Sequence, residues 1–250
     1  MIDPQFLTHR GAALAYRHTA GAGPLLVFLP GYMSDMTGSK GQALADWAAA
    51  RGQSCLRLDY SGCGASGGDF LEGSIGRWTG DARAIIDHVA PAAPVALVGS
   101  SMGGWIALRL GAALGDRLAG MALVAAAPDF TDWGLDLTAD DHVALDSRGW
   151  CTRPSAFDPA GYRYSRAFID DAPAQRLLGG TIAITAPVRL LHGQQDDAVP
   201  WRLSLDIAER LGSADVQVTL VKDGDHRLSR PQDLALLLAA VIELSGVSQC

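Results

Sequence analysis

Cysteine is scarce in this sequence, and its spacing argues against two kinds of site. The chain of 250 residues contains four cysteines, which lie far apart without any Cys-x-x-Cys pair: Cys55, Cys63, Cys151 and Cys250. Structural zinc sites use closely spaced cysteine pairs, and disulfide frameworks use many cysteines in short secreted chains. We therefore expect reduced thiols and no metal site.

Basic residues are outnumbered and long apolar runs are absent. The net charge is -7 with a pI near 5.2, which argues against nucleic acid or an anionic membrane as partner. The longest apolar run, Leu234 to Leu244, contains Glu243 and is well short of the roughly 20 residues that a bilayer-spanning helix needs. The first residues lack the basic and apolar segments of a signal peptide. We expect a soluble cytoplasmic protein without a membrane span.

What the chain does contain begins with the pentapeptide Gly-x-Ser-x-Gly at residues 99–103, set between two apolar runs. This pattern predicts a strand, a tight turn with Ser101 at its tip, and a buried helix. Side chains at Gly99 and Gly103 would collide with the elements that cross there. The turn lifts the Ser101 hydroxyl above the sheet edge, where it is a nucleophile if a base can reach it. Taken alone, the pentapeptide also fits a glycine-rich connection between two buried elements.

Apolar runs and amphipathic segments alternate along most of the chain. Residues 6–19 predict an antiparallel pair of edge strands. Further strands are predicted over residues 24–29, 54–59, 95–98, 118–127, 187–193 and 216–221. Helical spacing marks residues 44–51, 75–89, 200–211 and 231–244. This alternation predicts a mainly parallel sheet with helices on both faces, in a single α/β domain over residues 1–250 that binds ligands beyond the carboxyl ends of its strands.

The alternation fails between residues 128 and 186, which we interpret as a small inserted cap because a plain connection is much shorter. Its aromatic residues offer an apolar wall for an acyl group, although each also fits a role in anchoring the cap. The aromatic residues of this wall are Trp133, Trp150, Tyr162, Tyr164 and Phe168, of which the pocket candidates are Trp133, Trp150, Tyr162 and Phe168. Three arginines of the cap, which equally fit a solvated surface, are candidates to meet an anionic leaving group: Arg153, Arg163 and Arg166.

An acid and a base follow two of the predicted strands. Asp196 and His226 each come shortly after a strand, so both are expected at the same sheet edge as Ser101. The chain order Ser101, Asp196, His226 is that of nucleophile-elbow hydrolases. A serine hydroxyl needs an imidazole to take its proton and a buried carboxylate to orient the imidazole. The three residues therefore predict a catalytic triad.

Two neighbouring residues compete for these roles. Asp196 and Asp197 together also fit an acidic pair at the start of the helix near Pro200, where carboxylates are favoured. His192 is a second candidate base, but it precedes the acid on the same strand end, and we expect it to be structural.

Attack on an acyl carbon places negative charge on its oxygen, which preorganised N–H groups stabilise. We expect one donor to be the amide of Met102, directly after the nucleophile. We expect the other to be the amide of Tyr32, because Gly31 allows the backbone to turn inward there.

Six short segments together resemble those of the α/β-hydrolases, and more narrowly those of the mitochondrial acyl-protein thioesterases and their bacterial relatives. The segments are Leu29-Pro30-Gly31-Tyr32, Leu58-Asp59-Tyr60-Ser61-Gly62, Gly99-Ser100-Ser101-Met102-Gly103-Gly104-Trp105, Leu190-Leu191-His192-Gly193, Asp196-Asp197-Ala198-Val199-Pro200-Trp201 and Asp225-His226-Arg227. The resemblance implies an α/β-hydrolase fold with a mainly parallel eight-stranded sheet. It also implies Ser101 as nucleophile, Asp196 as acid and His226 as base, with no cofactor. The chain departs from the family by lacking an organelle-targeting extension.

We predict a serine hydrolase that cleaves thioesters or carboxylic esters of small molecules or acyl-proteins through an acyl-enzyme intermediate. The alternatives are a peptidase, a carbon–carbon bond hydrolase with the same triad, and a non-catalytic binding protein. A peptidase needs an acidic site for the peptide amino terminus. The acidic candidates in the cap are Asp129, Asp132, Asp136, Asp140 and Asp141.

Overall fold

The computed structural model of the chain describes residues 3–245. Its main sheet has eight strands, as predicted. These strands are β1 (Gln5–His9), β2 (Ala12–Thr19), β3 (Ala22–Leu29), β4 (Gln53–Leu58), β5 (Val95–Ser100), β6 (Leu118–Val124), β9 (Val188–Gly193) and β10 (Val216–Val221). Between β6 and β9 the chain forms a separate hairpin of two strands, β7 (Trp150–Arg153) and β8 (Tyr162–Ser165).

The strand order in the main sheet is β1-β2-β4-β3-β5-β6-β9-β10. Strands β4, β3, β5, β6, β9 and β10 are parallel, whereas β2 pairs antiparallel with both β1 and β4. The sheet is therefore mainly parallel with an antiparallel edge. Because parallel strands present their carboxyl ends at one edge, the turns after β3, β5, β9 and β10 lie on the same side of the sheet.

Helices cover both faces of this sheet. The helices on the two faces are α1 (Ser39–Arg51), α2 (Ile75–Val89), α3 (Met102–Leu114), α7 (Leu203–Arg210) and α8 (Pro231–Ser245). Three shorter helices, α4 (Phe130–Trp133), α5 (Ala139–Arg148) and α6 (Arg166–Asp171), lie between β6 and β9 in the chain. Within residues 3–245, none of them is long and apolar enough to cross a membrane.

Alternate side chains of the central strands enter two separate cores. Leu25, Val27 and Leu29 of β3 pack with α2, α3 and α7, whereas Leu26 and Phe28 pack with α1 and α8. All five side chains are buried. This two-residue period explains the continuous apolar run, because a strand covered on both faces needs no polar side.

Helix ends explain where the predicted boundaries hold and where they shift. Ser74 caps α2 by accepting a hydrogen bond from the Arg77 amide, and Gly52 ends α1 in the left-handed region. Helix α7 is shorter than predicted. It begins at Leu203 because residues 200–203 form a tight turn, and it ends at Arg210, before an extended Leu211.

Residues 128–186, the segment predicted as a cap, contain α4, α5, α6 and the hairpin β7–β8, which pairs with no strand of the main sheet. Short elements explain why no long period was visible in the sequence. Among the cysteines, Cys55, Cys63 and Cys151 are buried free thiols, and Cys250 lies outside the described residues.

Candidate active site

The turn between β5 and α3 holds Ser101 in an unusual conformation. Its φ and ψ are 55° and -121°, a region that non-glycine residues rarely occupy and that costs about 1–3 kcal/mol. Three backbone hydrogen bonds fix it: the Ser101 amide donates to the Val124 carbonyl at 2.9 Å, and the Ser101 carbonyl accepts from Gly104 at 2.8 Å and Ala127 at 3.1 Å. The hydroxyl therefore stands at the carboxyl end of the sheet, at the first turn of α3.

The glycines beside Ser101 allow this turn by letting backbones approach closely. A Cβ atom on Gly103 would lie 2.1 Å from the Leu29 carbonyl oxygen of β3, and one on Gly99 would lie 2.5 Å from the Gly103 carbonyl oxygen. Both distances are far below a van der Waals contact, so side chains are excluded at these positions. The collisions expected from the sequence are present.

The structure brings Ser101, His226 and Asp196 into one hydrogen-bonded chain. His226 Nε2 lies 3.1 Å from Ser101 Oγ, and His226 Nδ1 lies 2.8 Å from Asp196 Oδ2. The three residues come from the turns after β5, β10 and β9, whose carboxyl ends share one sheet edge. This geometry permits a proton to pass from the hydroxyl to the imidazole while the carboxylate holds the opposite nitrogen.

Asp196 is buried, with no part of its side chain exposed, yet it remains ionised. Its Oδ1 accepts hydrogen bonds from the amides of Ala198 at 2.9 Å and Val199 at 2.8 Å, and Oδ2 is bonded to His226 and His192. Burial raises the pKa of Asp196, but the bonds from the two histidines and the Val199 amide outweigh it and hold the pKa well below its usual range.

Two residues that line the pocket next to the nucleophile have backbone amides without a hydrogen-bond partner among residues 3–245. The loop after β3 passes so close that a Cβ on Gly31 would lie 3.4 Å from Ser101 Cβ. Tyr32 and Met102 both line the pocket beside Ser101, and within residues 3–245 neither backbone N–H donates to another protein group. The two amides predicted as oxyanion donors therefore have no competing acceptor within these residues, and their role as donors stays a prediction.

The pocket at Ser101 has a volume of about 640 Å³, and its lining contains an aromatic and a polar group of side chains, here called its aromatic end and its polar end. At its aromatic end, ring contacts join the side chains of Tyr32, Phe130, Tyr162 and Tyr164, with Trp133 beside them. At its polar end are Ser34, Ser39, Lys40, Arg227 and Ser229.

Two of the four predicted pocket aromatics lie elsewhere. Trp150 is stacked between the guanidinium groups of Arg148 and Arg163, at 4.1 Å and 5.1 Å from its ring centre. Phe168 is 1% exposed and packs against Phe130 and other rings of the core. Placing these two side chains in the pocket was wrong, because one covers the hairpin and the other anchors α6.

Phe130 and Phe157 also line the pocket, although the sequence did not predict them there. Phe157 packs against the imidazole of His226 with ring centres 5.5 Å apart. It lies in a stretch rich in Pro and Ser that gives no periodic signal. Phe130 could have been found, because it lies shortly after the carboxyl end of β6, where ligand-contacting residues are expected.

The cations expected at the leaving group also differ from those found. Arg153 pairs with Asp141, Arg166 with Asp146, and Arg163 stacks on Trp150, so none of the three lines the pocket. The pocket cations are instead Lys40 and Arg227. The Lys40 ammonium donates hydrogen bonds to the Arg227 carbonyl and to Ser229 Oγ, the latter at 3.3 Å.

The acidic residues that a peptidase reading requires are engaged away from the pocket. Asp129 accepts the amides of Leu177 and Leu178, Asp132 pairs with Arg176, and Asp141 caps α5. None of the five candidate acids lines the pocket. Among the described residues, no group of three or more His, Cys, Asp or Glu side chains is arranged to hold a metal ion.

Comparison with known proteins gives similarity along nearly the whole chain. The family model described as serine aminopeptidase, S33, matches residues 22–138. The mouse mitochondrial palmitoyl-protein thioesterase ABHD10 is 38% identical over 234 residues, which cover 92% of this chain and 78% of that protein.

Two solved structures are similar at both the sequence and the fold level. A putative hydrolase from Agrobacterium vitis S4 has 40% identity and a TM-score of 0.91, with 97% of each chain covered. Mouse α/β hydrolase domain-containing protein 10 has 36% identity and a TM-score of 0.88, covering 97% of this chain and 98% of its own.

The comparison overturns one expectation from the sequence. We expected a cytoplasmic protein, but the mammalian relatives, from mouse, rat, orangutan, human and cow, are all named as mitochondrial. The cytoplasmic location is therefore wrong: it rested only on the absence of a recognisable leader, which is weak evidence.

Proposed function

Because this chain belongs to the α/β-hydrolase family that includes the ABHD10 thioesterases and is an esterase-type hydrolase, we propose that it works through a triad of Ser101, His226 and Asp196. The observation that carries the proposal is the pair of distances, 3.1 Å and 2.8 Å, by which His226 connects the other two side chains. The substrate is an acyl thioester or carboxylic ester, of a small molecule or of an acylated protein.

The proposed reaction has two halves. Ser101 Oγ attacks the acyl carbon while His226 Nε2 takes its proton, and the resulting oxyanion is bound by the amides of Tyr32 and Met102. His226 then gives the proton to the departing thiol or alcohol, which leaves an acyl ester on Ser101. In the second half, water attacks this ester while His226 accepts a proton from the water; His226 then returns that proton to Ser101 Oγ as the C–Oγ bond breaks, and the carboxylic acid is released.

The two ends of the pocket support the orientation of the substrate. The aromatic end, with Phe130, Trp133, Tyr162 and Tyr164, suits a medium or long acyl chain or an aryl-acyl group. The polar end, with Lys40 and Arg227, suits the leaving group. Similarity to palmitoyl-protein thioesterases favours a thioester, and the distant acids of residues 128–186 speak against a peptide amino terminus.

The test is kcat/KM for matched thioesters and oxyesters with acyl groups from acetyl to palmitoyl, with aminoacyl anilides as the peptide-like arm. We expect turnover that rises with acyl length, is higher for thioesters, and falls by about 10³-fold or more in Ser101→Ala. Intact-mass spectrometry after rapid quenching should find the acyl group on wild type and none on Ser101→Ala.

Ser147→Ala is the matched control, because it removes a serine hydroxyl from the exposed surface of α5. Ester turnover that persists in Ser101→Ala would contradict the nucleophile. Turnover of anilides alone would contradict the ester assignment and favour a peptidase.

A further inference from the structure

A second histidine lies against the acid on the side away from His226. His192, at the end of β9, is fully buried, and its Nε2 is 3.0 Å from Asp196 Oδ2 and 3.1 Å from the Val199 carbonyl oxygen. Its Nδ1 is 2.8 Å from Ser204 Oγ, which is also buried and belongs to α7. No step of the proposed proton transfer uses either side chain.

These contacts determine where the ring carries its hydrogen. Nε2 faces two oxygen atoms, a carboxylate and a carbonyl, and neither can donate, so Nε2 must be protonated whenever Asp196 is ionised. In the neutral ring, Nδ1 is then the acceptor and the Ser204 hydroxyl donates to it. The serine therefore favours the same tautomer that the acid requires.

The acid is saturated with donors as a result. Two amides bind Oδ1, and two imidazole N–H groups, from His192 and His226, bind Oδ2. A carboxylate offers about four lone-pair sites, and each here has a donor. The negative charge on Oδ2 therefore interacts with two imidazole N–H groups and not with that of His226 alone.

We infer that His192, with its tautomer set by Ser204, is a positioning residue that fixes the Asp196 carboxylate and moderates its attraction for the His226 imidazolium. The inference rests on the proposed triad. Without the His192 donor, the carboxylate loses one of the four hydrogen bonds that fix it, and the charge on Oδ2 acts on His226 alone. The imidazolium is then stabilised more strongly, so the base becomes protonated at a higher pH, and it is held less accurately for attack.

Other charged groups near the triad do not replace this contact. These groups are Asp197 on the same loop, Asp225 and Arg227 on either side of His226, and Lys40 from α1. Within residues 3–245, none of these four side chains forms a hydrogen bond with Asp196. They remain unchanged in the variants below.

The decisive comparison is His192→Met against His192→Gln. The two side chains have similar length and shape, but only glutamine carries an N–H donor, the same number of bonds from Cβ as imidazole Nε2. In His192→Met, the midpoint of the acid limb of kcat/KM should rise by about half a pH unit to one unit. Its kcat, normalised to titrated active sites, should fall about tenfold or more.

In His192→Gln, the midpoint should stay at the wild-type value and kcat should remain within about threefold. Leu190→Val is the control for damage to β9, because Leu190 is buried on the same strand but does not contact the triad; it should leave the midpoint unchanged. An unchanged midpoint in His192→Met, or an equal shift in His192→Gln, would overturn the inference.

The tautomer of His192 provides a second test, with a readout other than activity. With ¹⁵N-labelled histidine, two-dimensional NMR should show one ring in the Nε2–H tautomer across the pH range of activity, and this signal should be lost in His192→Gln. Finding His192 as the Nδ1–H tautomer would overturn the inference. Failure of the triad itself is distinguishable, since ester turnover would then survive in Ser101→Ala.

Discussion

Two adjacent carboxylates, Asp196 and Asp197, differ in every property that matters for a catalytic acid. Asp196 is buried and bound by four donors, whereas Asp197 is exposed at the edge of the pocket. Of the two carboxylates, only Asp196 forms a hydrogen bond with His226. Identical residue types one position apart therefore have different roles because the loop after β9 turns one of them inward.

Asp196→Asn should lower kcat of ester hydrolysis by about 10³- to 10⁴-fold, because an amide can stabilise neither the imidazolium nor the required tautomer. Asp197→Asn should change kcat/KM by less than about fivefold, since its side chain lies in solvent at the pocket rim. The measurement is kcat/KM on a thioester for both variants, with circular dichroism to check the fold. A larger loss in Asp197→Asn would identify Asp197 as the acid.

At the residue scale, the sequence contained enough to select the members of the proposed triad, because chain order and position after a strand are one-dimensional properties. It could not show that His192 and His226 share one oxygen of Asp196. That contact depends on how residues 194–203 fold back, and these residues have no regular period. Expecting His192 to be structural captured its burial but not its partner.

At the scale of elements, α1 and the loop after β10 are joined by a half-buried charge. Lys40, in the first turn of α1, donates to the Arg227 carbonyl, next to His226 in sequence. Burial lowers the pKa of Lys40 to about 8, with Arg227 adding to the effect and Asp225 opposing it. The helix thus holds the base-carrying loop through an ammonium that is costly to bury.

This cost gives a pH dependence of stability with a definite sign. Between about pH 8 and the ordinary lysine pKa near 10.4, the unfolded chain binds the Lys40 proton and the folded chain does not. The contribution of this group to the free energy of unfolding therefore rises with pH in that window. It is least favourable below about pH 8, where the charge is buried.

Urea unfolding of wild type and Lys40→Met at about pH 7.5 and about pH 9.5 isolates the effect, because other titrating groups cancel in the difference. Wild type should gain about 1 kcal/mol relative to Lys40→Met on going to the higher pH, after discounting for the partial exposure of the side chain. The same difference at both pH values would mean that the ammonium is not buried in solution.

Elements with strong periodicity were predictable, and those without it were not. The period-two alternation in β3 and the caps Ser74 and Gly52 reflect local requirements that sequence states directly. The hairpin β7–β8 was not predicted, because its strands are short and pair only with each other.

On the scale of the whole molecule, Tyr32 is one of the residues that join the segment over residues 128–186 to the rest of the fold. The Tyr32 ring stacks on Tyr164 with centres 4.9 Å apart and an angle of 13°, and its hydroxyl donates to the Arg163 carbonyl. The same residue carries one of the proposed oxyanion amides. The loop after β3 thus contributes both to the aromatic wall of the pocket and to the proposed oxyanion site. The contact between Tyr32 and Arg163 joins residues about 130 positions apart, so no local sequence pattern reveals it.

This arrangement makes acyl selectivity a property of the segment over the sheet, and two tryptophans in that segment test it. Trp133 lines the pocket, and Trp150 lies outside it between two arginines, yet both are partly buried. Trp133→Ala should lower kcat/KM for a palmitoyl thioester about tenfold or more relative to an acetyl thioester, because burying an aromatic surface contributes about 1.5–3 kcal/mol. Trp150→Ala should leave the ratio unchanged. If neither variant changes the ratio of palmitoyl to acetyl kcat/KM, the acyl chain lies elsewhere in the pocket. If only Trp150→Ala lowers this ratio, the assignment of the two aromatics is reversed.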